Sequence, residues 1–118
     1  MSNTSKSTDY EAFSANFIDL LDQAEYARAY ASLAPQMQAT LTKSEWTKKL
    51  DAFRNPLGKC LTREISTVST STSMDSLPDG KYLTFKYVAS FEHKSSAEET
   101  TVVCSVDGKM YVFGYVVR

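Results

Sequence analysis

The sequence predicts an α+β fold in which N-terminal helices pack on a curved, four-stranded antiparallel meander. Apolar residues recur with helical spacing in the first half of the chain and alternate with a period of two in the second half. Short turn signals separate the alternating segments, so neighbouring strands can pair in sequence order. Helices that precede the strands, rather than alternating with them, are typical of the α+β class.

The first helical pattern covers residues 9–33. Thr8 and Glu11 are spaced as a capping box, which predicts a helix with Thr8 as its N-cap. The apolar pattern continues until Pro35 interrupts it, and Asp22–Gln23 is the favoured position for a break within it. Residues 1–8 are polar and are predicted to be a flexible tail, so residues 9–118 form a single domain.

A further helix is predicted directly before the sheet. Thr42–Glu45 is a second capping box, and three apolar residues that share one helical face follow it. They are Trp46, Leu50 and Phe53. Pro56 disfavours helix at the residue before it and Gly58 permits a turn, so the chain is expected to change there from helix to strand.

The four predicted strands cover residues 59–72, 81–93, 98–106 and 110–117. A turn signal lies at residues 76–80, a polar loop at Lys94–Ser96, and the Asp107-Gly108 pair marks a tight hairpin.

Composition excludes several classes of function. The 118 residues carry 13 basic and 14 acidic side chains, so a nucleic-acid partner is not expected. No apolar run approaches the length of about 20 residues that a membrane helix needs. One histidine and two cysteines in no metal-binding spacing predict neither a metal site nor another cofactor. Cys60 and Cys104 fall on the first and third predicted strands, too far apart for a disulfide, and are expected to be free thiols.

Several short motifs occur together along the chain. They are Trp46, Arg54, Pro56–Gly58, Arg63, Pro78–Tyr82, Phe91–Lys94, Ala97–Thr100, Asp107–Lys109 and Gly114–Arg118. In this combination, over roughly residues 10–118, the chain resembles the bacterial family called domain of unknown function 4019. Met110 departs from the family pattern, which often has tryptophan at this position.

The resemblance implies a short bacterial envelope protein with a cone-like fold, similar to cystatin or nuclear-transport-factor folds. It carries over no catalytic residue, because the family has no established activity. The expected location is the periplasm or cell envelope, with a signal peptide that is absent from this chain and was removed, if it existed. The alternative is the cytoplasm.

Two arginines flank the helix-to-strand corner, and two adjacent glutamates lie further along the chain. Arg54 or Arg63 is expected to form a structural ion pair with Glu98 or Glu99, because a buried carboxylate must be paired or neutralised. A catalytic acid at one of these glutamates is the less favoured interpretation. His93, the single histidine, is expected to be a solvated turn residue rather than a general base.

A cavity between helix and sheet is a second candidate site. Its expected lining is one carboxylate near the helix break and several tyrosines on apolar faces, namely Asp22, Tyr26, Tyr30, Tyr87 and Tyr115. A carboxylate whose pKa is raised by burial could abstract a proton there. The favoured alternative is that these aromatic residues belong to an ordinary core.

The last two strands carry apolar residues on both faces, although a solvated sheet face is normally polar. This indicates either a sheet covered on both sides or an interface with another subunit, such as a homodimer or a different envelope protein. The interface candidates are Val103, Met110, Val112 and Val116.

The favoured function is therefore a non-catalytic binding or assembly domain of the bacterial cell envelope. The alternative is a small cavity enzyme, similar to isomerases or hydratases, that uses a buried carboxylate or histidine.

Overall fold

The α+β fold predicted from the sequence is confirmed by a computed structural model that describes residues 7–72 and 80–118. The helices are α1 (Ser7–Asp22), α2 (Tyr26–Tyr30), α3 (Pro35–Thr40) and α4 (Lys43–Arg54), and a single 3-10 turn (Asn55–Leu57) follows them. The strands are β1 (Cys60–Ser71), β2 (Tyr82–Phe91), β3 (Lys94–Val106) and β4 (Lys109–Val117). They form one antiparallel sheet in the order β1-β2-β3-β4, as a meander requires. Every helix in the described part of the chain is too short or too polar to cross a membrane.

The first helix begins earlier than predicted and ends where predicted. Ser7 and Thr8 already lie within α1, so Thr8 is not the N-cap and these two residues do not belong to a tail. Residues 1–6 lie outside the described part of the chain. The break at Asp22 is confirmed, and Ala24 adopts a left-handed φ of 59° there. The Glu25 amide donates to the Leu20 carbonyl, and the Ala24 amide donates to the Leu21 carbonyl, as in a Schellman motif.

The predicted start of α4 is confirmed, whereas the predicted loop between β2 and β3 is wrong. Thr42 and Glu45 form the predicted capping box. The predicted loop at Lys94–Ser96 is wrong, because these residues belong to β3 and Lys94 pairs with Phe91. The hairpin needs only the two residues between them, which are exposed and polar. The turn predicted at residues 76–80 falls, apart from Gly80, outside the described residues.

The core lies between α1 and the face of the sheet that the helices cover. Phe17, Ile18 and Leu21 of α1 are each 1% exposed and belong to one cluster with apolar residues of every strand except β1. Ser14 is the polar member of this face, and its hydroxyl lies 2.6 Å from both the Tyr87 and the Thr101 hydroxyls. Because each hydroxyl has a partner, burying this small polar group does not leave it unsatisfied.

The interface prediction fails for Val103 and Val112. Both are fully buried in the core that the helices cover. Val103 lies on the helix-covered face by regular alternation along β3, opposite Leu83 of the core, so its assignment to the outer face was wrong. For Val112 the reason is an irregularity in the β3–β4 pairing, where the register shifts between Val102 and Val103. The shift changes which β4 side chains face the helices, so simple alternation along β4 assigns them to the wrong side. Met110 is half-buried against the same core, and Val116 is 45% exposed.

The opposite face of the sheet is also covered at one end. Tyr82, Cys104 and Phe113 form a second buried cluster with Ala34, and the Tyr82 and Phe113 rings pack edge to face. The chain itself therefore buries part of the second apolar face. Cys104 and Cys60 are both free thiols, in agreement with the prediction.

Candidate functional site

A buried carboxylate, Glu99 of β3, lies at the centre of a charged cluster on the helix-covered face. Its side chain is 0% exposed and accepts three hydrogen bonds. Arg54 donates from Nη1 at 3.1 Å, Arg63 from Nε at 2.6 Å, and the Tyr115 hydroxyl at 2.5 Å. The two arginines that flank the helix-to-strand corner thus hold Glu99. Its neighbour Glu98 is exposed and makes backbone bonds with Arg118.

The same two arginines also bind Asp22 at the C-terminal end of α1. Arg54 Nη2 lies 2.5 Å from Asp22 Oδ1, and Arg63 binds both carboxylate oxygens at 2.7 and 3.0 Å. The Asp22 side chain is 23% exposed. We call Asp22, Arg54, Arg63, Glu99 and Tyr115 the charge cluster. It joins α1, α4, β1, β3 and β4 at one point.

Local sequence explains how these side chains meet. Arg54 is the last residue of α4, because Pro56 prevents the helix from continuing, and the chain then turns into β1. In the sheet, Ala89 pairs with Arg63 and Tyr87 pairs with Glu99. Since residues two apart on a strand share a face, Arg63 and Glu99 both point toward the helices.

The charges of the cluster balance and favour its present protonation state. Burial lowers the pKa of Arg63, but hydrogen bonds from the guanidinium to Asp22 and Glu99 raise it by more, so its net pKa is above the ordinary value. Within residues 7–72 and 80–118, every buried side-chain nitrogen and oxygen has a hydrogen-bond partner. The cluster is therefore a closed network, in which each charge is already neutralised by another member.

Tyr115 gives the cluster a predicted pH dependence. Burial, and then the negative charge of Glu99, raise the pKa of its hydroxyl well above the ordinary value of 10.0. The folded protein therefore holds this proton more tightly than the unfolded chain, so stability is lost as pH rises above about 10. Tyr115→Phe should reduce this loss, measured as the difference in free energy of unfolding between about pH 8 and about pH 11. Tyr111→Phe, on the same strand but outside the cluster, is the control, and an equal effect of both variants would contradict the assignment.

A polar cavity of about 210 Å³ opens beside the charge cluster. Its lining residues are Leu21, Asp22, Tyr26, Arg54, Asn55, Gly58, Lys59 and Cys60. Of the five residues predicted to line a pocket, Asp22 and Tyr26 are here. Tyr30 instead donates to the Leu41 carbonyl, and Tyr87 bonds to Ser14 in the core. Tyr115 belongs to the charge cluster.

The residues described around the polar cavity include neither an activated nucleophile nor a group suited to bind a metal ion. Burial raises the pKa of the Cys60 thiol, so it is a poorer nucleophile than a free cysteine at neutral pH. The described residues include no group of three or more histidine, cysteine, aspartate and glutamate side chains suited to a metal ion. His93 is exposed in the β2–β3 turn, as predicted.

Gly58 fixes the corner beside the polar cavity. It has a left-handed φ of 77°, and an added Cβ would lie 2.9 Å from His93 Cδ2 and 3.0 Å from Glu92 Cβ. Gly58→Ala should therefore lower the free energy of unfolding by about 1–3 kcal/mol, measured by denaturant titration. The matched control is Gly114→Ala, whose added Cβ would meet nothing closer than 3.8 Å. Equal stability of the two variants would contradict this reading of the corner.

An apolar groove of about 380 Å³ lies between α3, α4 and the end of β4. Its lining residues are Met37, Leu41, Trp46, Lys49, Leu50, Phe53, Tyr115, Val116 and Val117. Phe53 is 59% exposed and Val116 is 45% exposed, although both are large and apolar. Lys49 is the one charged residue of this lining, and within the described residues it forms no salt bridge.

This groove was not predicted from the sequence. The helical spacing placed Phe53 on the same face as Trp46 and Leu50, which are 4% and 3% exposed, and so predicted that it would be buried. Phe53 instead stands at the border of that face and is open to solvent. The sequence did contain one signal of the groove: three successive apolar residues, Tyr115–Val117, end the last strand. Side chains at the end of a strand and at the end of a helix can together line an exposed groove.

Comparison with known proteins agrees with this architecture. A similar solved structure is that of a Campylobacter jejuni protein described as an NTF2-like transpeptidase, an activity assigned only provisionally. The two proteins share 12% sequence identity and a TM-score of 0.63, over 88% of this chain and 96% of that chain, which shows a common fold alone. Among curated proteins, no significant match was found.

The motifs that resembled a known family are also supported by a direct match. The family described as protein of unknown function (DUF4019) matches residues 13–115, which is most of the range expected from the motifs. The chain therefore belongs to the DUF4019 family.

Proposed function

We propose that this protein is a non-catalytic binding domain, and that its apolar groove receives an apolar segment of another protein. The observation that carries the proposal is the contrast between the two cavities. Beside the polar cavity the charged side chains bind one another, whereas the groove exposes Phe53 and Val116 to solvent without a covering element among the described residues. A concave site lined mainly by apolar and aromatic side chains is the usual form of a binding pocket.

The size and chemistry of the groove suit a binding role. About 380 Å³ falls within the usual range of ligand pockets, and such pockets are mostly apolar with a few polar groups. Aromatic side chains are the commonest anchors of binding energy, and Trp46, Phe53 and Tyr115 all line the groove. Lys49 adds a positive charge at its border, which favours a partner carrying a carboxylate.

The alternative, a small cavity enzyme, has less support. A general base must lie within hydrogen-bond reach of the proton that it takes from substrate, and ion-pair partners around a carboxylate obstruct that approach. Glu99 already accepts bonds from two arginines and a tyrosine, and Asp22 is held by the same two arginines. Location in the cell envelope and homodimer formation remain predictions from the sequence.

Binding at the groove can be tested with the fluorescent dye anilinonaphthalene sulfonate, an apolar aromatic anion. We expect Phe53→Ser to weaken dye binding at least about tenfold, because this side chain forms one wall of the groove. Its free energy of unfolding should change by less than about 1 kcal/mol, since the ring is largely exposed. Dye titration and denaturant titration measure the two effects.

Leu61→Ser is the matched control. Leu61 is also 59% exposed, but it lies on β1 and outside the groove. We expect this variant to bind the dye as the wild type does. If both variants lose binding equally, or neither does, the groove is not the binding site.

A further inference from the structure

The apolar groove lies against an open edge of the sheet. In the strand order β1-β2-β3-β4, β4 has a strand on one side only. The first half of its free edge is covered, because the Ala34 amide donates to the Val112 carbonyl at 2.9 Å and the Val112 amide donates to the Ser32 carbonyl at 2.8 Å. This short parallel bridge shows that the β4 edge accepts an extended chain beside it.

The second half of the edge has backbone groups that point away from the sheet. Glu98 and Arg118 exchange two backbone hydrogen bonds, at 3.0 and 2.9 Å, so they form a hydrogen-bonded pair. Pairs alternate in an antiparallel ladder, so Val117 opposite Glu99 and Tyr115 opposite Thr101 are the non-hydrogen-bonded pairs. The amide and carbonyl groups of Tyr115 and Val117 therefore face outward. Within the described residues, no backbone hydrogen bond from a loop or helix reaches them.

The groove follows this outward edge rather than one face of the sheet. Tyr115 and Val116 both line it, although neighbouring residues of a strand point to opposite faces. The opposite wall is formed by Trp46, Leu50 and Phe53 of α4. A chain lying in the groove would thus meet free backbone groups on one side and apolar side chains on the other.

Residues 114–117 of this edge lack two of the features that normally prevent pairing, a charged residue and a proline, and they lie beyond the irregularity opposite Val102 and Val103. Natural edge strands carry charged residues, proline or bulges that discourage an added strand. Residues 114–117, Gly-Tyr-Val-Val, contain neither a charge nor a proline. The other edge, β1, carries Arg63 and Glu64 and is rich in serine and threonine.

We propose that the groove binds an extended segment of another protein as an additional strand on β4, next to Tyr115–Val117. This inference rests on the proposed function, and it specifies the form of the ligand. Main-chain hydrogen bonds to β4 supply general affinity, and alternate apolar side chains entering the α4 wall supply selectivity, as in other cases of strand addition. A carboxylate in the segment pairs with Lys49, whose charge lies in the groove lining.

The test begins with selection from a library of displayed heptapeptides on the wild-type protein. The Phe53→Ser variant serves for counter-selection. We expect enriched peptides with alternating apolar residues and an acidic residue. The enriched peptide is then synthesised in two forms, each N-methylated at alternate amides. Only one set of amides can face β4, so one form should bind at least about tenfold more weakly than the unmodified peptide, and the other should bind about as tightly.

A second arm tests the partner's charge and the alternative occupant. Lys49→Gln should weaken binding of the acidic peptide but not of its glutamine analogue. Strand addition is wrong if both methylated forms bind like the parent peptide, or if no peptide is enriched. Another protein as the occupant is ruled out if the wild type forms a dimer that Val116→Lys disrupts and Val68→Lys, at a similarly exposed position on β1, does not. In each of these cases, dye binding that is still weakened by Phe53→Ser would show that the groove remains a binding site.

Discussion

Replacing Glu99 by alanine should lower the free energy of unfolding by about 3–5 kcal/mol. The carboxylate is completely buried, and its removal leaves Arg54, which is only 5% exposed, without one of its two acidic partners. Breaking a buried ion pair is costly because the remaining charge has lost its compensation while still being shielded from water. The Tyr115 hydroxyl also loses its acceptor.

Denaturant titration of Glu99→Ala and Glu98→Ala measures this effect. The two glutamates are neighbours on β3 but point to opposite faces, and Glu98 is exposed. We expect the Glu98 variant to stay within about 0.5 kcal/mol of the wild type, as surface substitutions usually do. A Glu99 variant as stable as the Glu98 variant would show that the charge cluster does not hold the five elements together.

Replacing Arg54 by methionine should have a similarly large effect, about 3–5 kcal/mol in the free energy of unfolding. Its guanidinium binds Asp22, Glu99 and the Tyr115 hydroxyl, and lies 5.4 Å from the centre of the Phe91 ring. Methionine fills much of the same space without a charge. The expected loss of stability therefore arises from Asp22 and Glu99, whose two negative charges would be left with Arg63 as their shared partner.

Arg63→Met is the comparison for this prediction. Arg63 binds the same two carboxylates, but its side chain is 18% exposed against 5% for Arg54. Water can therefore better screen the charges that remain when Arg63 is removed, so we expect a smaller loss of stability. An Arg63 variant that is less stable than the Arg54 variant would contradict the view that burial sets the cost.

Neither substitution should change the binding site directly. A folded Arg54→Met protein should bind the dye nearly as tightly as the wild type under conditions where it remains native, because Arg54 does not line the apolar groove and Tyr115, which belongs to both sites, keeps its bond to Glu99. This separates the two roles: the charge cluster stabilises the fold, and the groove binds.

Much of the fold follows from local patterns in the sequence. The second capping box marks the start of α4, and alternation of apolar residues marks β2, since these signals depend on residues only a few positions apart. The β3–β4 register was not predictable in this way. It depends on an irregularity at Val102 and Val103, and this single shift reversed the assignment of Val112.

An ion pair at the helix-to-strand corner could be predicted from the sequence, but the carboxylates that take part in it could not. Arg54 and Arg63 flank a corner, so a carboxylate partner was expected, and the parity of β3 distinguishes Glu99 from Glu98 only once the register is known. Asp22 joins the cluster because α1 ends beside the corner in a left-handed turn at Ala24. That contact depends on tertiary packing between elements distant in sequence. The groove was missed for the same reason, since the exposure of Phe53 depends on where β4 ends.

Binding at the apolar groove is tested most directly by mapping amide chemical-shift changes while the dye is titrated into isotopically labelled protein. We expect changes at Trp46, Lys49 and Phe53 of α4 and at Tyr115–Val117 of β4, all of which line the groove. Lys59 and Cys60, beside the polar cavity, should be unaffected. Changes confined to Lys59, Cys60 and Asn55, with α4 and β4 unchanged, would contradict it.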